Sequence, residues 1–157
     1  MNTIESLLQS AQTELQPWAK VTTQPEPNRC DATLDRAELL PAVSRLTTIG
    51  WGYLSAITGL DQGTESSEFE LLYHFCSGAA ILTLRVRLPR EAAAIPSVCG
   101  LIPSASLFER EVSEMLGITF TNSPDARRLY LPDDWPSDVY PLRKDAVLEV
   151  DPNLTRA

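Results

Sequence analysis

Two runs of strict alternation constrain this chain more than any other feature. Phe69, Leu71, Tyr73 and Phe75 alternate with Glu70, Leu72 and His74. After Ser77 and Gly78, Leu82, Leu84, Val86 and Leu88 alternate with Thr83, Arg85 and Arg87. A period of two sends each apolar set to one face of a sheet, and the short glycine turn between the runs joins them as an antiparallel hairpin over 68–76 and 80–88. An apolar sheet face has to be covered by a second layer. Helical spacing supplies that layer upstream. Ile4, Leu7, Leu8, Ala11 and Leu15 recur over 3–16 until Pro17, and Glu5 near the start complements the helix dipole. A second helix is expected from Asp35, with Glu38 completing a capping box, Pro41 tolerated in its first turn, and Gly50 closing it after Leu39, Leu40, Val43, Leu46 and Ile49. Residues 18–34, with Pro25 and Pro27, read as short extended pieces around a loop, and Trp51–Thr58 as a strand ended by Gly59. The fold class is therefore α+β, a single domain with a mixed or antiparallel sheet packed by helices.

The third helix is the most sharply marked. Ser106 with Glu109 reads as a capping box, Phe108, Val112, Met115 and Leu116 form an apolar stripe, and Gly117 stands at the left-handed position after the helix. Its outer face then collects Glu109, Arg110, Ser113 and Glu114. From Thr121 onward, 37 residues with five of the chain's 12 prolines show no sustained period. Leu129, Tyr130, Leu131, Trp135, Val139, Tyr140 and Leu142 are spread through them, more large apolar residues than a disordered segment carries. The expected organisation is a compact body over 1–120 and an extended, proline-rich tail over 121–157 that lies on a partner. A tail wrapped on its own domain is the less favoured arrangement.

Composition excludes several functions. The 157 residues carry 21 Asp and Glu against 13 Lys and Arg, a net charge of -8, and lack the basic block that phosphate backbones require. No apolar run approaches the ~20 residues of a membrane span, and no basic stretch followed by an apolar one opens the chain, so a soluble intracellular protein is expected. Cys30, Cys76 and Cys99 are too far apart for a ligand-spaced pair, which points to buried free thiols rather than an iron–sulfur or zinc site. His74 is the sole histidine and falls on a strand face. Neither a dinucleotide fingerprint nor a phosphate-binding loop is present. A self-sufficient enzyme is not expected.

Four motifs follow one another in the last third: Phe-Glu-Arg-Glu-Val-Ser-Glu-Met-Leu-Gly-Ile-Thr-Phe over 108–120, Pro-Asp-Ala-Arg-Arg-Leu over 124–129, Leu-Pro-Asp-Asp-Trp-Pro over 131–136 and Pro-Leu-Arg-Lys-Asp over 141–145. In this order they closely resemble the C-type, thirty-kilodalton subunit of respiratory complex I and its relatives in energy-converting membrane hydrogenases. A weaker resemblance runs upstream through Gly50–Asp61 and the hairpin. The chain departs from the family pattern at Ser123, where His is usual, at Ala146, where an aromatic residue is usual, and at Glu114, where Asp is usual.

The resemblance implies a non-catalytic subunit of the peripheral arm, on the cytoplasmic side of an energy-conserving membrane, supporting electron transfer to quinone coupled to proton translocation. It implies no cofactor in this chain, with iron–sulfur clusters, and flavin or nickel–iron, held by partners. Those partners would be the hydrogenase-derived large subunit of D type and the cluster-bearing subunits of B and I type, with the membrane reached only through the complex. The equivalent subunit of a membrane-bound hydrogenase or formate hydrogenlyase is the alternative, and a stand-alone binding module the third. The interface would use Glu109, Arg110, Glu111, Glu114, Pro124, Asp125, Arg127, Arg128, Trp135, Pro141, Leu142, Arg143, Lys144 and Asp145. Within it, Glu109, Glu111 or Glu114 are expected to pair with Arg127, Arg128, Arg143 and Lys144 and fix where the tail leaves the body.

Overall fold

The computed structural model describes residues 3–147. Helix α1 (Ile4–Leu15) is capped by Thr3, whose hydroxyl accepts the Ser6 N–H at 3.2 Å. Strands β1 (Ala19–Glu26) and β2 (Arg29–Leu34) follow, then α2 (Leu39–Thr48), β3 (Tyr53–Asp61), β4 (Glu68–Ser77), β5 (Ala80–Pro89), β6 (Ala94–Pro96), α3 (Ala105–Leu116) and β7 (Thr119–Thr121). Five strands form one mixed sheet in the order β1-β2-β5-β4-β3, while β6 and β7 make a small parallel pair. The β4–β5 hairpin is as the alternation requires, with Ser77 opposite Ala80 and Gly78 left-handed at φ 59°.

One core joins the elements. Leu8, Ala11 and Leu15 of α1, Leu39, Val43 and Leu46 of α2, and Val112 and Leu116 of α3 meet Phe69, Leu71, Tyr73 and Phe75 of β4 and Leu82, Leu84, Val86 and Leu88 of β5. The helices therefore share one face of the sheet. The Trp51 indole N–H ties the start of β3 to α1 through the Leu7 carbonyl at 3.0 Å.

One local expectation is sharpened and three change. The extended pieces of 18–34 pair with each other as a hairpin, whose second strand runs parallel to β5 along Arg29–Leu34. Asp35 makes no capping bond. It pairs with Lys20 at 2.6 Å, and a 3-10 turn over Arg36–Glu38 leads into α2. Helix α3 begins at Ala105 and Ser106 does not cap it; its buried stripe is Ala105, Glu109, Val112 and Leu116, rotated from the expected one so that Phe108 and Met115 are half-exposed. Gly59 does not end its strand. It faces α3, where an added Cβ would lie 2.5 Å from Leu116 Cδ1 and 3.1 Å from Val112 Cγ1.

The face away from the helices is not simply solvated. Arg85 donates from Nε and Nη2 to Glu70 at 2.9 and 3.1 Å and from Nη1 to Asp31 at 2.9 Å. The Glu70 hydrogen bonds, with Asp31 on the other side, hold its guanidinium above the ordinary pKa against a smaller desolvation effect. Arg87, by contrast, is exposed, as a solvated strand residue should be.

The close approach at Gly59 yields a direct test. Gly59→Ala should overpack the α3–β3 contact and destabilise the chain by ~1–3 kcal/mol. Urea unfolding with an unchanged m-value checks it, and an unchanged midpoint would show that α3 has room to withdraw.

Candidate functional site

Consecutive residues of a helix point about 100° apart, so Glu109, Arg110 and Glu111 leave α3 in three directions. Glu109 enters the core and is 1% exposed. Its Oε1 accepts the Val98 N–H at 2.7 Å and its Oε2 the Ser97 hydroxyl at 2.7 Å, with the Cys99 thiol at 3.3 Å. It touches none of the four cations expected to pair with it. A carboxylate satisfied by a backbone N–H and a hydroxyl is the way a buried charge is tolerated, and here it ties α3 to the loop after β6. Burial pushes the Cys99 thiol up, with Glu109 adding to the effect. Burial first, and then Glu109 and Cys99, place the Tyr73 hydroxyl well above its ordinary value of 10. Glu111 is exposed and has no ion pair or side-chain hydrogen bond among the described residues.

Arg110 and Glu114, one turn apart and so on the same face, hold the tail by its backbone. Arg110 donates from Nε to the Arg127 carbonyl and from Nη2 to the Arg128 carbonyl, both at 2.7 Å, and its Nη1 lies 3.4 Å from Asp125. Glu114 accepts the N–H groups of Leu129, Tyr130 and Leu131 at 2.9–3.3 Å. The guanidinium thus reads two carbonyls and the carboxylate three successive amides. The expected pairing of Glu114 with an arginine side chain is replaced by this backbone grip, which satisfies a segment without secondary structure of its own.

The segment also closes on itself. Asp125, after Pro124, accepts from the Arg127 side chain at 2.7 and 2.9 Å and from the Arg127 N–H at 3.0 Å. The Arg127 side chain, its N–H and the charge of Arg110 hold the Asp125 carboxyl well below the usual carboxylate range. Arg127 itself remains 84% exposed. Arg128 donates to the carbonyls of Pro132 and Trp135, and the Trp135 indole to the Val139 carbonyl at 2.9 Å. Together with α3 these residues wall a cavity of about 190 Å³ bordered by Ser113, Phe120 and Tyr140.

The Pro-Leu-Arg-Lys-Asp motif forms a second anchorage. The Leu142 N–H donates to the Met115 carbonyl at 3.1 Å and Arg143 Nε to the Leu116 carbonyl at 2.7 Å, closing the end of α3 after half-buried Pro141. The Arg143 guanidinium stacks 4.4 Å from the Tyr140 ring centroid and 5.2 Å from that of Phe69. Gly117 (φ 72°) makes this possible, since a Cβ there would lie 2.6 Å from both Arg143 and Tyr140. The Lys144 N–H donates to Asp61 at 2.8 Å, and Asp145 meets Arg90 at 3.2 Å. Arg90 in turn grips both Asp61 oxygens at 2.6 Å and lies 4.7 Å from the Phe69 ring centroid. Neither Arg143 nor the Lys144 side chain pairs with a glutamate among the described residues.

Up to Val147 the tail is therefore bound to its own body at two places. The remaining residues of the expected tail, 148–157, lie outside the described range. Sequence reasoning missed Asp61 and Arg90, because an aspartate ending a strand and an arginine after one carry no periodic mark. The one available signal was Asp61 closing the upstream stretch of family resemblance.

Other chemistry-bearing residues stand apart. His74 sits between the Thr58 and Thr83 hydroxyls at 3.1 Å each, and burial, aided by Arg29 and Arg85, lowers its pKa. Cys30 and Cys99 are buried and Cys76 half-buried, all unpaired. Among the described residues no group of three His, Cys, Asp or Glu is placed to hold a metal ion, and no helix is long and apolar enough to cross a membrane.

The anchorage has a defined pH dependence. Burial pushes the Asp61 pKa up, but hydrogen bonds from the Lys144 and Gly63 N–H groups and from Arg90 outweigh it, so the net shift is downward from 3.8. A depressed carboxylate stabilises the fold above its unfolded value and loses that contribution as pH falls through the folded one. Protease cleavage after Lys144 should therefore accelerate only in acid, below about pH 4. Asp61→Asn should raise cleavage at neutral pH and flatten the profile. An unchanged profile would show that Asp61 does not hold the segment.

Comparison with known proteins converges on one family. The model of the "Respiratory-chain NADH dehydrogenase, 30 Kd subunit" matches residues 32–152. The C-type subunit of the NADH-quinone oxidoreductase of Rhizobium rhizogenes is 37% identical over 97 residues, covering 61% of this chain and 48% of that one. Formate hydrogenlyase subunit 5 of Escherichia coli is 37% identical over 99 residues, 61% of this chain and 17% of its own length. The chain thus spans about half or less of these two relatives. Among solved structures, one from the membrane-bound sulfane sulfur reductase, an archaeal respiratory membrane complex, superposes with a TM-score of 0.77 at 21% identity, covering 92% of this chain and 85% of the other, which shows a shared fold. The sequential motifs from Glu109 to Asp145 and the family match across most of the sequence lead to one conclusion: this chain belongs to the thirty-kilodalton subunit family of the respiratory-chain NADH dehydrogenase, a family with relatives in hydrogenase complexes.

Proposed function

We propose that this chain is a non-catalytic structural subunit in the peripheral arm of a complex I-type assembly, an NAD(P)H or ferredoxin:quinone oxidoreductase that couples quinone reduction to proton translocation. The observation that carries the reading is how the signature charges are used. Arg110, Glu114, Arg128 and Arg143 are committed to backbone groups of the tail or of α3 itself. Charges spent this way shape a surface rather than a substrate site. The surface they shape carries exposed Tyr130, Leu142 and Val147, large apolar groups of the kind interfaces cover.

On this reading the tail serves the partner as a moulded loop, held at Arg110 and Glu114 and again at Arg143, instead of a free arm. The partner is a large subunit of D type, flanked by cluster-bearing subunits of B and I type. Those partners hold the iron–sulfur clusters and any flavin or nickel–iron centre. The complex, on the cytoplasmic side, provides the only connection to the membrane. Likeness to formate hydrogenlyase subunit 5 favours a second reading, the equivalent place in a membrane-bound hydrogenase.

Affinity purification of the tagged full chain from its native membranes, followed by identification of co-migrating subunits, tests both. The expected result is a large assembly containing a hydrogenase-derived large subunit. Four nickel-binding cysteines in that subunit would select the hydrogenase reading, and their absence the quinone-reducing one. A monodisperse free chain would contradict both.

A further inference from the structure

The two edges of the sheet are finished differently. β1 carries Lys20 and Pro25, and its pairing with β2 slips twice, between Ala19 and Val21 and between Thr23 and Glu26. Lysine, proline and irregular register are the means by which proteins keep a strand edge from templating another chain. β3, at the opposite edge, has none of the first two. Tyr53–Asp61 contains no lysine or proline, and its single irregularity lies between Leu54 and Ala56. Ala56–Leu60 is left as a regular strand. Among the described residues, no backbone hydrogen bond other than those to β4 reaches residues 53–61.

A groove of about 290 Å³ runs beside this edge, walled by Phe108, Val112 and Met115 of α3 and by Leu142. It is bounded by Ala56 and Thr58 and also by Ile57 and Gly59. The first two point to the helix-free face and the last two to the core, so the groove straddles the strand edge. A chain laid there would meet free backbone groups and apolar walls together. Glu111 also lines the groove, exposed and without an ion-pair partner among the described residues. Up to Val147 the chain's own tail does not fill the space: Leu142 binds the end of α3, and Lys144 has already reached Asp61.

We propose that β3 is completed by an extended strand of a partner subunit, added through backbone hydrogen bonds along Ala56–Leu60. Alternate apolar side chains of that strand seat against Phe108, Met115 and Leu142, and one lysine or arginine meets Glu111. Strand addition draws its affinity from the main chain and its specificity from alternate side chains. An unpaired carboxylate beside an apolar groove selects a basic partner and repels an acidic one. The inference rests on the reading that the chain is a subunit of a larger assembly, and it identifies a contact separate from the tail loop.

Amide exchange over 54–61, measured on the full chain alone and in the assembly purified through a tag on it, tests the proposal. The outward amides of 56–60 should exchange quickly in the free chain and at least about tenfold more slowly in the assembly. Glu111→Lys, at an exposed position, should leave the melting temperature of the free chain unchanged and reduce the yield of assembly by about tenfold. A photo-crosslinker replacing Leu142 should capture a partner peptide with alternating apolar residues and a basic side chain. Fast exchange in an intact assembly, with Glu111→Lys yield unchanged, overturns the strand addition alone and leaves the subunit reading standing. Protection already present in the free chain also overturns it. If a cut after Val147 removes that protection, the chain's own last ten residues are the occupant; if it grows with concentration, a second copy is. A chain recovered free of any partner overturns both readings.

Discussion

Two side chains one turn apart on α3 determine the course of the loop over 127–131. Arg110 takes the carbonyls of Arg127 and Arg128 while Glu114 takes the amides of Leu129, Tyr130 and Leu131. Five consecutive residues without helix or strand thereby have their backbone polarity met by two charges of opposite sign. Water would otherwise supply those bonds, and the segment would gain nothing by lying down. Charge-assisted bonds to backbone groups are stronger than neutral ones, so the helix acts as a template on which the loop is moulded.

For a helix to be a template it must itself be fixed. Gly59 lets α3 approach β3 closely, and Glu109 pins the same helix from inside by binding Ser97 and Val98. Arg143 and Gly117 finish its C-terminal end. Asp61, gripped by Arg90 and by the Lys144 amide, then joins the end of β3 to the tail's far side. The loop between Asp125 and Tyr140 is consequently tethered at both ends to one rigid helix–strand unit, which reduces the entropy lost when it meets a partner.

Much of this architecture is written locally. The β4–β5 hairpin follows from alternation and one glycine turn, α1 from helical spacing before Pro17, and the end of α3 from Gly117. What the sequence conceals depends on pairing between distant segments. Nothing in residues 29–34 marks them for a parallel berth beside β5, because register is set by the partner strand and not by local period. Glu109 is a second case. Its position on the helix belongs to the apolar stripe, but an acidic residue reads as outward-facing unless its buried partners, a loop amide and a hydroxyl, are known. The motif resemblance pointed to this region as a candidate interface and suggested glutamate–arginine pairs where the structure uses arginine and glutamate against backbone. Side-chain pairing is the natural guess from composition, since backbone groups are invisible in a list of residue types. Asp61 and Arg90 escaped for the same reason: their importance arises only where three strands and the tail converge.

A chain proposed to lend a moulded surface to an assembly must have its loop held by α3 in the chain itself. Amide exchange at Leu129, Tyr130 and Leu131, compared between the natural chain and Glu114→Gln, tests that dependence most directly. Loss of the charge that three amides share should accelerate their exchange by about tenfold or more, with the amides of β4 and β5 unaffected. Equal exchange in the two proteins would contradict the account, because the loop would then owe its course to something other than the helix.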